Sequence, residues 1–131
     1  MNIRVFVSEG MKNSTSKELL KTVVEDFKQY KGGKARPINF GRDEIYTFPF
    51  SVKVAELEHI HLKDDKSKKW NLQKVSFNKT SDTALIYCQG SNQKNCYYLI
   101  SILENAHATY RTKPLYLVGL AELAEVFREK F

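Results

Sequence analysis

The chain is short of several things, and each shortage removes a class of protein. Only two cysteines occur in 131 residues, Cys88 and Cys96, and they do not form a CxxC pair. Two such thiols are expected to be reduced core residues, not a disulfide framework. No run approaches 18 apolar residues, which excludes a membrane-spanning helix. Residues 1–7 are too short and too interrupted for a secretory leader, so a cytoplasmic protein is expected. GxGxxG, Walker A, HExxH and GxSxG patterns are all missing, and with them the usual signatures of nucleotide binding, zinc proteolysis and serine hydrolysis. There is no internal repeat, low-complexity tract or linker, so residues 1–131 read as one domain. Acid is scarce relative to base: 15 Asp+Glu against 21 Lys+Arg give a net charge of +6 and a pI near 9.3. That imbalance favours an anionic partner such as nucleic acid. Apolar residues at 42% and charged residues at 27% exclude a wholly disordered chain.

What is present reads as an α+β order. Ile3, Val5 and Val7 alternate with Asn2, Arg4 and Phe6, the pattern of a half-buried strand. Thr15-Ser16-Lys17-Glu18 has the form of a capping box, and Leu19, Leu20, Val23, Val24, Phe27 and Tyr30 follow at helical spacing. Gly32-Gly33 is expected to stop that helix. From Lys34 to Phe50, Pro37, Gly41 and Pro49 break any periodicity, so a loop is expected, with Arg42 and Asp43 in a surface turn. Val52 to Leu62 reads as a strand of imperfect alternation. Ala84–Gln89 and Cys96–Leu103 are near-continuous apolar runs joined by Gly90–Asn95, which predicts a hairpin in the middle of the sheet. Pro114 suits the first turn of a closing helix that turns Leu117, Leu120, Leu123, Ala124 and Phe127 inward.

Two features carry chemistry. The first is a lysine run, Lys63, Lys66, Lys68, Lys69, Lys74 and Lys79, with Trp70 and Phe77 interleaved. Lysines neutralise phosphates and aromatics stack on bases, so the run suits single-stranded nucleic acid; a solvated basic loop is the plainer alternative. The second is His59-Ile60-His61. On a strand, residues i and i+2 share a face, roughly 6.5–7 Å apart along the backbone. Two imidazoles so placed can flank one phosphodiester, one accepting the ribose 2′-hydroxyl proton and the other protonating the leaving 5′ oxygen. An ordinary pKa of about 6.5 suits both tasks. The same pair is also the HxH half of a metal site, with His107, Cys88 and Asp82 as distant candidates for a third ligand. Exposed strand histidines with no chemical role are the third reading.

Four blocks, taken together, resemble a known family: Phe40-Gly41-Arg42-Asp43, Glu58-His59-Ile60-His61-Leu62, Ile86-Tyr87-Cys88-Gln89-Gly90, and the closing residues Ala124 to Phe131. In order and spacing they are similar to the YafO family of bacterial toxins, over about four-fifths of the chain. The resemblance implies a toxin of a type II toxin–antitoxin pair, a metal-independent and ribosome-dependent mRNA interferase with no cofactor. Its implied partners are the ribosome, mRNA in the A site and a cognate antitoxin, with no membrane. It implies a RelE/ParE-like fold, a small antiparallel sheet packed with an N-terminal and a C-terminal helix. On that scaffold His59 and His61 are the expected acid–base pair, in either assignment. Arg42, Arg111 and His107 are the expected additional basic groups, the last two from the end of the last long strand. Tyr87, Gln89 and Trp70 are expected to position a base, and the lysines from Lys63 to Lys79 to hold RNA. A family histidine is replaced here by Ala84, which leaves the division of roles among these residues open. The same scaffold also serves toxins that bind DNA gyrase without cutting RNA, and a basic RNA-binding module is a further alternative.

Overall fold

A computed structural model describes residues 2–64 and 81–131. Five strands form one sheet in the order β1-β5-β4-β3-β2. They are β1 (Arg4–Val7), β2 (Phe40–Ile45), β3 (Glu58–Leu62), β4 (Ala84–Gln89) and β5 (Cys96–Leu103). The apolar hairpin β4–β5 lies inside the sheet as expected, because both its faces are covered. Every neighbouring pair is antiparallel except β1, which runs parallel to β5. The fold is therefore α+β with a mostly antiparallel sheet, in keeping with the RelE/ParE-like architecture.

Helices cover both faces. On one face α1 (Glu9–Ser14) and α2 (Lys17–Lys31) enclose Met11, Val23, Phe27, Ile60, Leu85, Tyr87 and Leu99. On the other, α3 (Phe50–Val54) and α5 (Pro114–Lys130) enclose Val52, Leu57, Ile86, Cys88, Leu117, Ala124 and Phe127. A short α4 (Ala106–Thr112) precedes α5. Both cysteines are buried, free thiols. No helix among the described residues is long and apolar enough to cross a membrane.

Several expectations are corrected. Helix α2 begins one residue later than the capping box implies: Ser16 accepts the Leu19 N–H at 3.2 Å. Thr15 is already used as the extended residue that ends α1. That frame leaves Leu19 in solvent, and Leu123 on α5 is likewise exposed, because the apolar stripes are narrower than their leucines suggest. Gly33 stops α2 as expected, at a φ of +84° that glycine adopts without strain. The expected loop before Phe50 contains β2, so Arg42 and Asp43 lie on a strand, not in a surface turn. The expected strand from Val52 is a short helix followed by β3, with the left-handed Glu56 between them. Helices α1 and α4 were both unforeseen.

Candidate active site

Strand β3 sorts its side chains by parity. Ile60 points into the α2-side core and is fully buried, which contributes about 2 kcal/mol of apolar burial. Its neighbours His59 and His61 therefore face the other side, opposite Ile86 and Ala84 of β4. There they line a cavity of about 270 Å3 together with Glu44, Tyr46, Ala84, Ala106, His107 and Tyr110. Ala84 sits within this wall, so its small side chain adds to the space beside His61.

The three histidines form a row. Ring centroids of His59 and His61 are 5.5 Å apart, and those of His61 and His107 are 5.9 Å apart. His59 is stacked on Tyr46 at 4.1 Å, and Tyr46 stacks in turn on Tyr110 of α4. This aromatic pile fixes the His59 ring. Its Nδ1 is buried without a hydrogen-bond partner among the described residues, while Nε2 lies 3.5 Å from the Glu44 carboxylate. His61 is held differently. Its Nδ1 lies 2.8 Å from the Ser81 carbonyl and 2.9 Å from the Ser81 amide nitrogen. Either tautomer satisfies that contact, so Nε2 is the nitrogen left for other chemistry.

His107 arrives from α4. Asn105, in the left-handed conformation, turns the chain out of β5 into this helix. The Asp82 carboxylate then accepts the His107 backbone N–H at 2.9 Å and contacts His107 Nδ1 at the same distance. A carboxylate on Nδ1 orients the ring and directs Nε2 outward. The His107 side chain is 63% exposed, against 12% for His59. The row thus opens at His107, while His61 in its middle is the most buried of the three.

Burial holds the His59 imidazolium far below its ordinary range, to a pKa of about 4, and the neighbouring His61 adds to the effect. Burial also lowers the His61 pKa, against an opposing contribution from the Ser81 backbone contact. Both rings are accordingly neutral near pH 7. Positive charge comes from Arg42 on β2, whose guanidinium lies 2.8 Å from the far oxygen of Glu44. Glu44, His59 and His61 each bring one ligand-type atom within 4.8 Å of the others.

The structure therefore brings His59, His61 and His107 together, with Arg42 tied to the group through Glu44. It does not bring Arg111, which is exposed on α4 and outside the cavity wall. Both His107 and Arg111 lie on that helix and not at the end of β5, because the strand stops at Leu103. Tyr87 and Gln89 have the opposite parity from Ile86 and face α2. Tyr87 is sealed in the core with its hydroxyl on Asp43, and Gln89 donates to the Lys94 carbonyl and the Tyr97 hydroxyl. Neither lines the histidine cavity. Lys63, half-buried, follows β3, and its amide donates to the Asn39 carbonyl. Lys66, Lys68, Lys69, Trp70, Lys74 and Lys79 lie outside the described residues. Glu44, Tyr46 and Tyr110 escaped the sequence reading. The available signal for Glu44 was its i+2 spacing from Arg42 once residues 40–45 are read as a strand.

Comparison with known proteins follows the same direction. The family described as Toxin YafO, type II toxin-antitoxin system, matches residues 28–129. The chain is 32% identical to the mRNA interferase toxin YafO of Escherichia coli (strain K12), in an alignment covering 98% of this chain and all of that protein. No solved structure matches the chain.

Proposed function

The chain belongs to the YafO family of toxins of type II toxin–antitoxin systems, and from that premise we propose that it is a ribosome-dependent endoribonuclease. It cuts mRNA in the A site without a catalytic metal, and a cognate antitoxin restrains it. The observation that carries this reading is the convergence of three imidazoles on one cavity. A gyrase-binding toxin has no need of acid–base groups, whereas phosphodiester transfer needs one proton acceptor and one donor.

The roles follow from placement. His61, with Nδ1 engaged by Ser81, takes the 2′-hydroxyl proton on Nε2. The 2′ oxygen then forms its bond to phosphorus as the bond from phosphorus to the 5′ oxygen breaks. His107, oriented by Asp82, delivers a proton to that 5′ oxygen. The products are a 2′,3′-cyclic phosphate and a 5′-hydroxyl. His59 supports His61 from the other side of the row as the second imidazole of the pair, and Arg42 supplies fixed positive charge for the growing charge on the phosphoryl oxygens. Arg111, exposed on the same helix as His107, is left for contact with the flanking RNA backbone.

Ribosome contact falls to the lysine run. Its composition supports a phosphate-binding surface, and each lost contact lowers the salt slope by roughly 0.7–0.9. The triple replacement of Lys66, Lys68 and Lys69 by Gln is thus expected to weaken ribosome binding and flatten its salt dependence. The test of the reaction itself is cleavage of a ribosome-bound message, with transition metals chelated and magnesium kept at the ribosome's requirement. A new 2′,3′-cyclic phosphate end is the expected result. Intact message, with gyrase-cleaved DNA accumulating in cells instead, overturns the reading.

A further inference from the structure

Strand pairing places three metal-type donors on one side of the sheet. Glu44 on β2 stands directly opposite His59 on β3, and His61 follows two residues along on the same face. One donor atom from each lies within 4.8 Å of the others. Zinc bonds of about 2.0–2.2 Å to nitrogen and oxygen put tetrahedral ligands roughly 3.4 Å apart. Glu44 is the partner able to close the difference, because its side chain is partly exposed at the sheet edge. The two imidazoles stand two residues apart on one strand, with ring centroids 5.5 Å apart. His61 already has the outer support that metal-bound histidines use, a backbone contact on the nitrogen that does not face the site. The sequence pattern alone pointed to His107, Cys88 or Asp82 as the third ligand; the fold supplies Glu44 instead. Two nitrogens and one carboxylate oxygen suit zinc or a neighbouring first-row metal and not magnesium or calcium, which require mostly oxygen donors.

We propose that Glu44, His59 and His61 bind one zinc ion, and that the bound ion switches off RNA cleavage. The site binds through Nε2 of His59 and of His61 and a Glu44 oxygen, leaving a fourth position for water. Zinc there occupies the lone pair on which His61 would accept the 2′-hydroxyl proton. It is an inhibitor of the reaction and not its cofactor. The binding half stands on coordination chemistry alone, and the inhibitory half rests on the proposed nuclease function.

Binding is measured first without ribosomes or RNA. Zinc chloride is titrated by calorimetry into metal-free protein, and cobalt(II) is added in parallel for its visible absorption. The expected result is one ion per chain, with the d–d bands of four-coordinate cobalt and no thiolate charge-transfer band. Glu44→Gln, an isosteric change at a partly exposed position of the edge strand, is expected to weaken zinc by about tenfold or more, and His61→Asn to weaken it further. Absence of binding by the parent, affinity unchanged in both folded variants, or a thiolate band overturns the site. Cleavage by the parent is then followed with and without one equivalent of zinc. Loss of cleavage that returns on chelation supports the switch, whereas cleavage that survives zinc, or requires it, overturns it. If zinc binds as expected but the chelated parent never cuts, the nuclease reading fails while the metal site stands.

Discussion

The two faces of β2, β3 and β4 are built from alternate residues of the same strands, yet they treat polar groups in opposite ways. Toward α2, Asp43 accepts hydrogen bonds from the Tyr30 hydroxyl at 2.6 Å and the Tyr87 hydroxyl at 2.8 Å. Lys31 lies 3.5 Å from the same carboxylate and 5.0 Å over the Tyr87 ring. Burial and the Asp43 charge push both phenols up, that of Tyr30 to about 12, so they remain donors at any working pH. That face consumes its polar atoms in holding the edge strand β2 to the helix layer. Toward α4, the residue after Asp43 is Glu44, and here imidazole nitrogens open onto a cavity. One face is a strut and the other, on the proposed function, a reaction chamber. The lesson is that the strut lets the chamber exist, because β2 carries both Asp43 and the Arg42–Glu44 pair.

Variants on the two faces should therefore separate activity from stability. Among single substitutions the largest effect is expected from His107→Ala. Loss of a general acid costs about 10²- to 10⁴-fold in cleavage rate, while the exposed position leaves the melting temperature nearly unchanged. Equal cleavage by this variant in a single-turnover assay breaks the assignment of the open end of the row. On the other face Asp43→Ala strands two tyrosine hydroxyls, one of them fully buried, and is expected to cost about 3 kcal/mol in denaturant unfolding. An unchanged unfolding midpoint would remove the strut from the account.

Acid should probe the chamber next. The folded His59 holds its proton only below about pH 4, whereas the unfolded chain binds one from about 6.5. Between those values the unfolded state carries more protons, so stability falls as pH drops through the window and this contribution levels off below it. The loss by pH 5 is about 2 kcal/mol. His59→Gln should lose this slope, and parallel unfolding curves for parent and variant at pH 7 and pH 5 check it. The smallest effect is that of Tyr87→Phe, about 1 kcal/mol for one hydrogen bond, with cleavage unchanged because the residue faces away from the chamber. A fall in cleavage without a fall in stability would show that the faces are coupled more directly than through the strand.

Much of this division was legible in the residues. His59-Ile60-His61 gives its own parity, since an isoleucine between two histidines can be buried only by turning both rings to the other side. The apolar runs of β4 and β5 and the stripe of α2 likewise announce buried faces. What stayed hidden was local. In β2 the glycine and the flanking prolines mask a strand whose residues are polar on both sides, because its Asp43 partners, Tyr30 and Tyr87, are 13 and 44 positions away. Without β2 as a strand, Glu44 has no reason to meet His59. In the same way α4 has no strong apolar stripe and no side-chain cap of its own. Its start is fixed by Asp82, 25 positions earlier, so the approach of His107 to His61 follows from tertiary contact alone.

The most direct test of the central claim, that the histidine face performs the cleavage, is the single-turnover rate of the double variant His59→Gln, His61→Asn on ribosome-bound message. Near-ultraviolet circular dichroism confirms the fold in the same sample. The account predicts native packing, ribosome binding close to that of the parent, and no cleavage above background. A folded double variant that cuts at the parent's rate would contradict it.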